Sequence, residues 1–305
     1  MAISASLLVH ASPASAVVPG ANGRITCEGS RLPIGGTDTN VEVFTINPDG
    51  TGERTLTDFI GRDGDPSYSP DGTKIAFESF RSGFSELWTM NADGTGLTQL
   101  TSNGAPEDRG SSWSPDGSRI VYHTTEFPVP AGPGHSSFEI MIINSDGTGK
   151  TRLTENLFQD TLPSWSPDGT QITFFSTRDG DGEIYVMNVD GSNVTRRTNS
   201  PGEDAHPMWS PDGTRITFHT RRFGGLDVMV MNADGTNPQL VTAGTPTTFE
   251  FFPVWSPDGT KIAFNGNTLD SANTDVYTIN VDGTGVTRLT STAGFDGRCD
   301  WGSSP

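Results

Sequence analysis

An acid stands five residues before a repeated aromatic at six places. Asp63, Asp108, Asp160, Asp204, Glu250 and Asp296 precede Tyr68, Trp113, Trp165, Trp209, Trp255 and Trp301. Six carboxylates brought near one axis repel, so arginine, protonation or a bound cation must neutralise some of them. A second acid opens another recurring segment, at Glu42, Glu86, Glu139, Glu183, Asp227 and Asp275. Arginine recurs in four copies, as Arg31, Arg81, Arg178 and Arg222, with Glu126 and Thr268 in the other two. Ionic stitching between repeats explains this pattern without a ligand. Four arginines cannot serve all the recurring acids, however, and calcium, which takes several oxygen ligands, is the cation expected on the first set of six.

The histidines add less. His206 lies three residues before Trp209, and His123 and His219 occupy equivalent positions in two copies. His135 falls in a long insertion and His10 near the start. A metal held by histidine would need several copies to contribute together, and only scattered ones do. Asp179-Gly180-Asp181-Gly182-Glu183 lacks the twelve-residue calcium-loop pattern and reads as an acidic turn. No Gly-x-Ser-x-Gly elbow occurs, and the glycines sit in hairpin turns and open no phosphate-binding helix.

The elements that must position these side chains are set by a repeat. Ser-Pro-Asp-Gly recurs at Ser69, Ser114, Ser166, Ser210 and Ser256, with spacings of 44 to 52 residues. That period is one four-stranded propeller blade. Proline presets the turn and glycine accepts positive φ, so each copy marks a tight hairpin. A second turn, Asp-Gly, occurs at Asp49, Asp93, Asp146, Asp190, Asp234 and Asp282, each two residues after an asparagine. Six such hairpins predict six blades of an all-β propeller.

Only five first hairpins are complete, and the sixth is split between the termini. Residues 22–27 match a second strand and residues 296–301 a first strand. Their pairing closes the ring and removes the open sheet edges. In that register Cys299 faces Cys27, which predicts a disulfide closing a loop of about 270 residues. Chain entropy assigns such a staple roughly 4 to 5 kcal/mol, and it implies an oxidising compartment.

Residues 1–16 read as a signal peptide: Ile3 to Ala11 is small and apolar, and Ala14-Ser15-Ala16 fits a cleavage site. The basic start of such segments is missing, so truncation at the N-terminal end is expected. Residues 17–305 form one domain. The net charge of −18 disfavours nucleic acid and favours cationic partners. No run of eighteen apolar residues is present to span a membrane.

The Pro-x-Trp-Ser-Pro-Asp-Gly-Thr-(Lys/Arg)-Ile run and the Tyr-Val-Met-Asn-x-Asp-Gly run resemble the WD-repeat-like propeller of the TolB family over residues 20–302, without the N-terminal domain that TolB carries. The expected function is a secreted or periplasmic, monomeric, non-catalytic scaffold for a protein, peptide or glycan. Its binding face would hold the acidic ring, the four arginines, His123, His206, His219 and the insertions Thr125 to Ser137 and Gly266 to Thr274. The alternatives are a metal-dependent envelope hydrolase or lyase working in the central funnel, and a calcium-stabilised structural module. The turn face is expected to report architecture alone.

Overall fold

The fold is given by a computed structural model that describes residues 20–31, 40–104, 106–126, 138–242, 248–267 and 273–304. These residues form six four-stranded antiparallel sheets. Blade 2 shows the unit: Asp63–Tyr68 innermost, then Lys74–Ser79, Glu86–Asn91 and the short outer strand Thr98–Gln99. The innermost strands of blades 3 to 6 are Asp108–Trp113, Asp160–Trp165, Asp204–Trp209 and Glu250–Trp255. Blade 1 is the split one: Asp296–Ser303 pairs with Asn22–Arg31, which continues to Asn40–Ile46 and Arg54–Thr55. Ile25 lies opposite Trp301 and Thr26 opposite Asp300. Cys27 and Cys299 are disulfide-bonded across this closing pair.

The Ser-Pro-Asp-Gly turns form as the residue types dictate. Gly72 adopts φ +68, its N–H donates to the Ser69 carbonyl, and the Ser69 hydroxyl donates to Asp71 at 2.6 Å. Asp71 also accepts the Thr73 N–H, which locks the loop before the next strand begins.

Hydrophobic burial lies between blades. One cluster joins Ala76 and Leu87 of blade 2 to Trp113, Ile120 and Tyr122 of blade 3, and another joins Ile25, Phe44 and Trp301 of blade 1 to Val254 and Val276 of blade 6. The repeated tryptophans are core residues: Trp113, Trp165, Trp209, Trp255 and Trp301 are all buried. Trp113 and Trp255 donate their indole N–H to carbonyls of the preceding blade, at Ser67 and Met208. Arg119 and Arg215 stack on the tryptophan of the next blade, Trp165 and Trp255, at 4.9 and 4.7 Å. Each aromatic therefore sets the angle between two sheets.

Candidate functional site: the central channel

The six acids open the innermost strands and are buried. Asp160 accepts from Arg178 at 2.8 and 2.9 Å and from the Asn156 side-chain amide at 2.6 Å. Asp63 and Asp204 are held likewise by Arg81 and Arg222. These pairs lie within one blade, tying its second-to-third-strand loop to its own innermost strand, and do not stitch blade to blade. Asp296 takes the Thr292 hydroxyl at 2.6 Å, and Glu250 is buried at the equivalent place. Arg31 ends a strand of blade 1, and its side chain lies outside the described residues. Asp108 has Glu126 where other blades have arginine; it relies on Thr124 and Asn103, and burial pushes it up to about 6.

Five of the second set of acids are neutralised by donors that a count of recurring arginines overlooks; the sixth, Asp227, is buried with neither carboxylate oxygen hydrogen-bonded among the described residues, and burial pushes its proton affinity up. Glu139, Glu183 and Asp275 pair with Arg152, Arg196 and Arg288 of the outer strands. Glu42 and Glu86 accept from the hydroxyls of Thr57 and Thr101 and from the backbone N–H of Phe59 and Asn103. Among the described residues, no group of three or more His, Cys, Asp or Glu side chains is placed to hold a metal ion.

The channel itself is built from residues three before each aromatic. Asp65, Leu162, His206, Phe252 and Arg298 all have positive φ, between 42 and 56, and Gly110 has φ +62. Each marks a β-bulge: the register of every innermost strand shifts there, as between Gly64 and Ser67 or Ala205 and Met208. A bulge bends the strand and re-aims one side chain. Five non-glycine residues in this conformation are costly one by one, and such strain collects at functional positions.

A second ring supports the first. The residue after each second-strand aromatic or Cys27 is Glu28, Glu78, His123, Phe175, His219 or Asn265. In four of the six it accepts the N–H of the next blade's bulge residue. Glu28 takes Asp65 at 2.9 Å, Asn265 takes Arg298 at 2.9 Å, His123 takes Leu162 at 3.4 Å and His219 takes Phe252 at 3.5 Å. Both histidines accept through Nδ1, so the proton sits on Nε2. Burial pushes His123 and His219 down to about 3 and His206 to about 4, and all three are neutral.

The mouth is polarised around the ring. Arg298 pairs with Asp65 at 3.1 Å and stacks on Phe252 at 5.0 Å. Burial opposes its charge, but Arg298, helped by Arg62, holds Asp65 below the usual carboxylate range. Glu28 binds Arg62 at 2.6 Å, and Glu78 binds Arg62 at 2.9 Å and Arg109 at 3.5 Å. Burial and Asp65 push Glu78 up to about 7. The other side is aromatic, with His206, Phe251 and Phe252 in one contact chain.

Below the bulges a cavity of about 250 Å³ runs toward the Ser-Pro-Asp-Gly face, and a second of about 220 Å³ there is rimmed by Pro70, Pro115, Pro167, Pro211 and Pro257. Asp300 lines both, accepts the Tyr68 N–H at 2.7 Å, and is pushed by burial up to about 6. The turn face thus carries a channel mouth that its regular sequence does not announce. His206 lines the channel and His123 and His219 sit behind it in the second ring, whereas the three arginines are spent on acids of their own blades. The long insertions fall mostly outside the described residues, and His135 and the 1–16 segment wholly so.

This is a closed, disulfide-clasped six-bladed propeller whose central channel is charged on one side and aromatic on the other. The family model described as the TolB beta propeller domain matches residues 18–128 and 132–248, and the chain belongs to that family. It is 41% identical over 140 residues to a protein TolB homolog of Chlorobium luteolum, covering 46% of this chain and 30% of that one. It is 31% identical over 125 residues to the Tol-Pal system protein TolB of Anaeromyxobacter dehalogenans, covering 41% and 26%. The chain spans less than half the length of these curated relatives. The crystal structure of TolB from Acinetobacter baumannii superposes with a TM-score of 0.78 at 22% identity, over 93% of this chain and 68% of that one, which shows the fold.

Proposed function

We propose that this chain is a secreted or periplasmic binding scaffold without catalytic action, taking a protein partner on the face opposite the Ser-Pro-Asp-Gly turns. The observation that carries the reading is a contrast between two sets of positions. All but Asp227 of the recurring acids are absorbed by arginine, by hydroxyl or amide side chains or by backbone N–H, as at Asp160, Asp204, Glu42 and Glu183. The channel-mouth residues differ from blade to blade, and variation on a rigid scaffold is where recognition sits. Membership of the TolB propeller family, with relatives named for the Tol-Pal system, supports a protein partner. The Cys27–Cys299 bridge supports an oxidising compartment. Peptide and glycan ligands suit the same face, and calcium enters as an additive to be varied.

The test is affinity capture from an envelope extract, with and without calcium, using the wild type and a variant with 125–137 and 266–274 shortened. The variant is expected to keep its melting temperature and lose the partner. Undiminished capture by the shortened variant would place the interface elsewhere.

A further inference from the structure

The chain carries a formal charge of −18, yet three arginines reach solvent at its channel mouth, Arg109 with the exposed Glu107 beside it at 3.2 Å. The side chains of Arg62, Arg109 and Arg298 are 31%, 29% and 30% exposed, while the carboxylates beneath them, Glu28 and Glu78, are 4% and 0% exposed. The groups alternate in one row. Arg298 and Arg62 share Glu28, at 3.7 and 2.6 Å, and Arg62 and Arg109 share Glu78, at 2.9 and 3.5 Å. Arg62 spends Nη2 on these two carboxylates and its Nε is buried, so Nη1 is the edge of the guanidinium left to an acceptor from solvent. At the Arg298 end the row meets an aromatic wall, with Arg298 stacked on Phe252 and Phe252 edge-on to Phe251 at 4.8 Å. Both rings are half-buried and Phe249 beside them is 43% exposed.

We propose that this mouth binds a carboxylate attached to an aromatic or apolar group, with the carboxylate on Arg62 and Arg298 and the apolar part on Phe251 and Phe252. Two guanidinium groups sharing a buried acid offer a forked anion site, and the adjoining rings exclude water from one side of it. The raised proton affinity of Glu78 agrees in sign, since a protonated acid there removes one of the four carboxylates, Glu28, Asp65, Glu78 and Glu107, that face the three arginines. Two sources share this chemistry: a free aryl or acyl acid, and the C-terminal residue of a peptide chain. The site does not rest on the scaffold reading, because a small acid can bind whether or not a protein partner is captured.

The experiment is calorimetric titration of the purified full chain with N-acetylphenylalanine, its amide, and a short peptide ending in phenylalanine with either a free or an amidated end. The free acids are expected to bind at least about tenfold more tightly than the amides, an advantage that shrinks as salt rises. Binding of both free acids assigns the site to the carboxylate alone, and binding of the free-ended peptide only assigns it to a chain terminus. Arg62→Lys, which keeps the charge over Glu28 and Glu78 but loses the fork, is expected to weaken the acids about fivefold. Phe251→Ala, away from the ion pairs, is expected to weaken them similarly and so covers the case in which Arg62→Lys does not fold. Equal binding of acid and amide, no saturable binding of any acid up to about 10 mM, or folded variants that bind as the wild type does would overturn the proposal.

Discussion

Removing the Cys27–Cys299 bridge isolates what closes the ring. The bridged residues are 272 apart in sequence, and both sulfurs lie in the core between blade 1 and blade 6. Constraining so long a loop lowers the entropy of the unfolded chain, which stabilises the fold by about 5 kcal/mol in the chain-entropy description. For a chain of this length the unfolding entropy is about 0.6 kcal/mol/K, so the melting temperature should fall by about 8 °C. The assay is calorimetry of Cys27→Ala/Cys299→Ala beside the reduced wild type, because the alanines also remove packing atoms. Hydrogen exchange adds the location: protection should be lost first in Asn22–Arg31 and Asp296–Ser303, the strands that only this pairing joins. A shift below about 2 °C in both samples, with those strands still protected, would show that hydrogen bonding and Trp301 close the ring unaided.

Other outcomes follow from the buried charges. Arg222→Met strands Asp204 in the interior and should cost about 3 to 5 kcal/mol by denaturant unfolding, most of it recovered when Asp204→Asn is added; strictly additive losses would contradict the pairing. Asp108 is pushed by burial from 3.8 to about 6, so the folded chain binds its proton more tightly than the unfolded chain does. Its contribution is therefore fully favourable below pH 4 and is lost as pH rises through 6, about 3 kcal/mol in all. Asp108→Asn should stabilise the chain at pH 7 and do nothing at pH 4, and equal effects at both would refute this. His123, His206 and His219, held by burial at about 3, 4 and 3, should show no NMR titration between pH 8 and 5, whereas a midpoint near 6.5 for any of them would place it in water.

The architecture was legible because hairpin chemistry is local. Ser-Pro-Asp-Gly and Asn-x-Asp-Gly fix turns whatever surrounds them, and counting them yields six blades, the split copy and the cysteine pairing. The outer strands shrink to two residues, as at Thr195–Arg196, because they pair on one side only. The channel was not legible for a related reason. Asp65, Leu162, His206, Phe252 and Arg298 share no residue type and no preference for positive φ; the ring imposes their conformation. Gly110 and the prolines that follow the bulge in four blades, Pro66, Pro163, Pro207 and Pro253, were the available hint. Charge counting misled on supply, since Thr57, Thr101 and backbone N–H groups satisfy acids that arginines alone could not. His123 and His219 were visible as equivalent positions, but their work as acceptors for the next blade's N–H needs the three-dimensional register.

The proposed binding scaffold takes its partner on the irregular face and leaves the turn face free. This arrangement is tested most directly by comparing capture from envelope extract by three folded proteins: the wild type, a variant with 125–137 and 266–274 shortened, and a turn-face variant with Asp71, Asp116 and Asp168 changed to asparagine. The first and third are expected to recover the same protein partner and the second to recover none. Loss of capture by the turn-face variant, with capture kept by the shortened one, would contradict it.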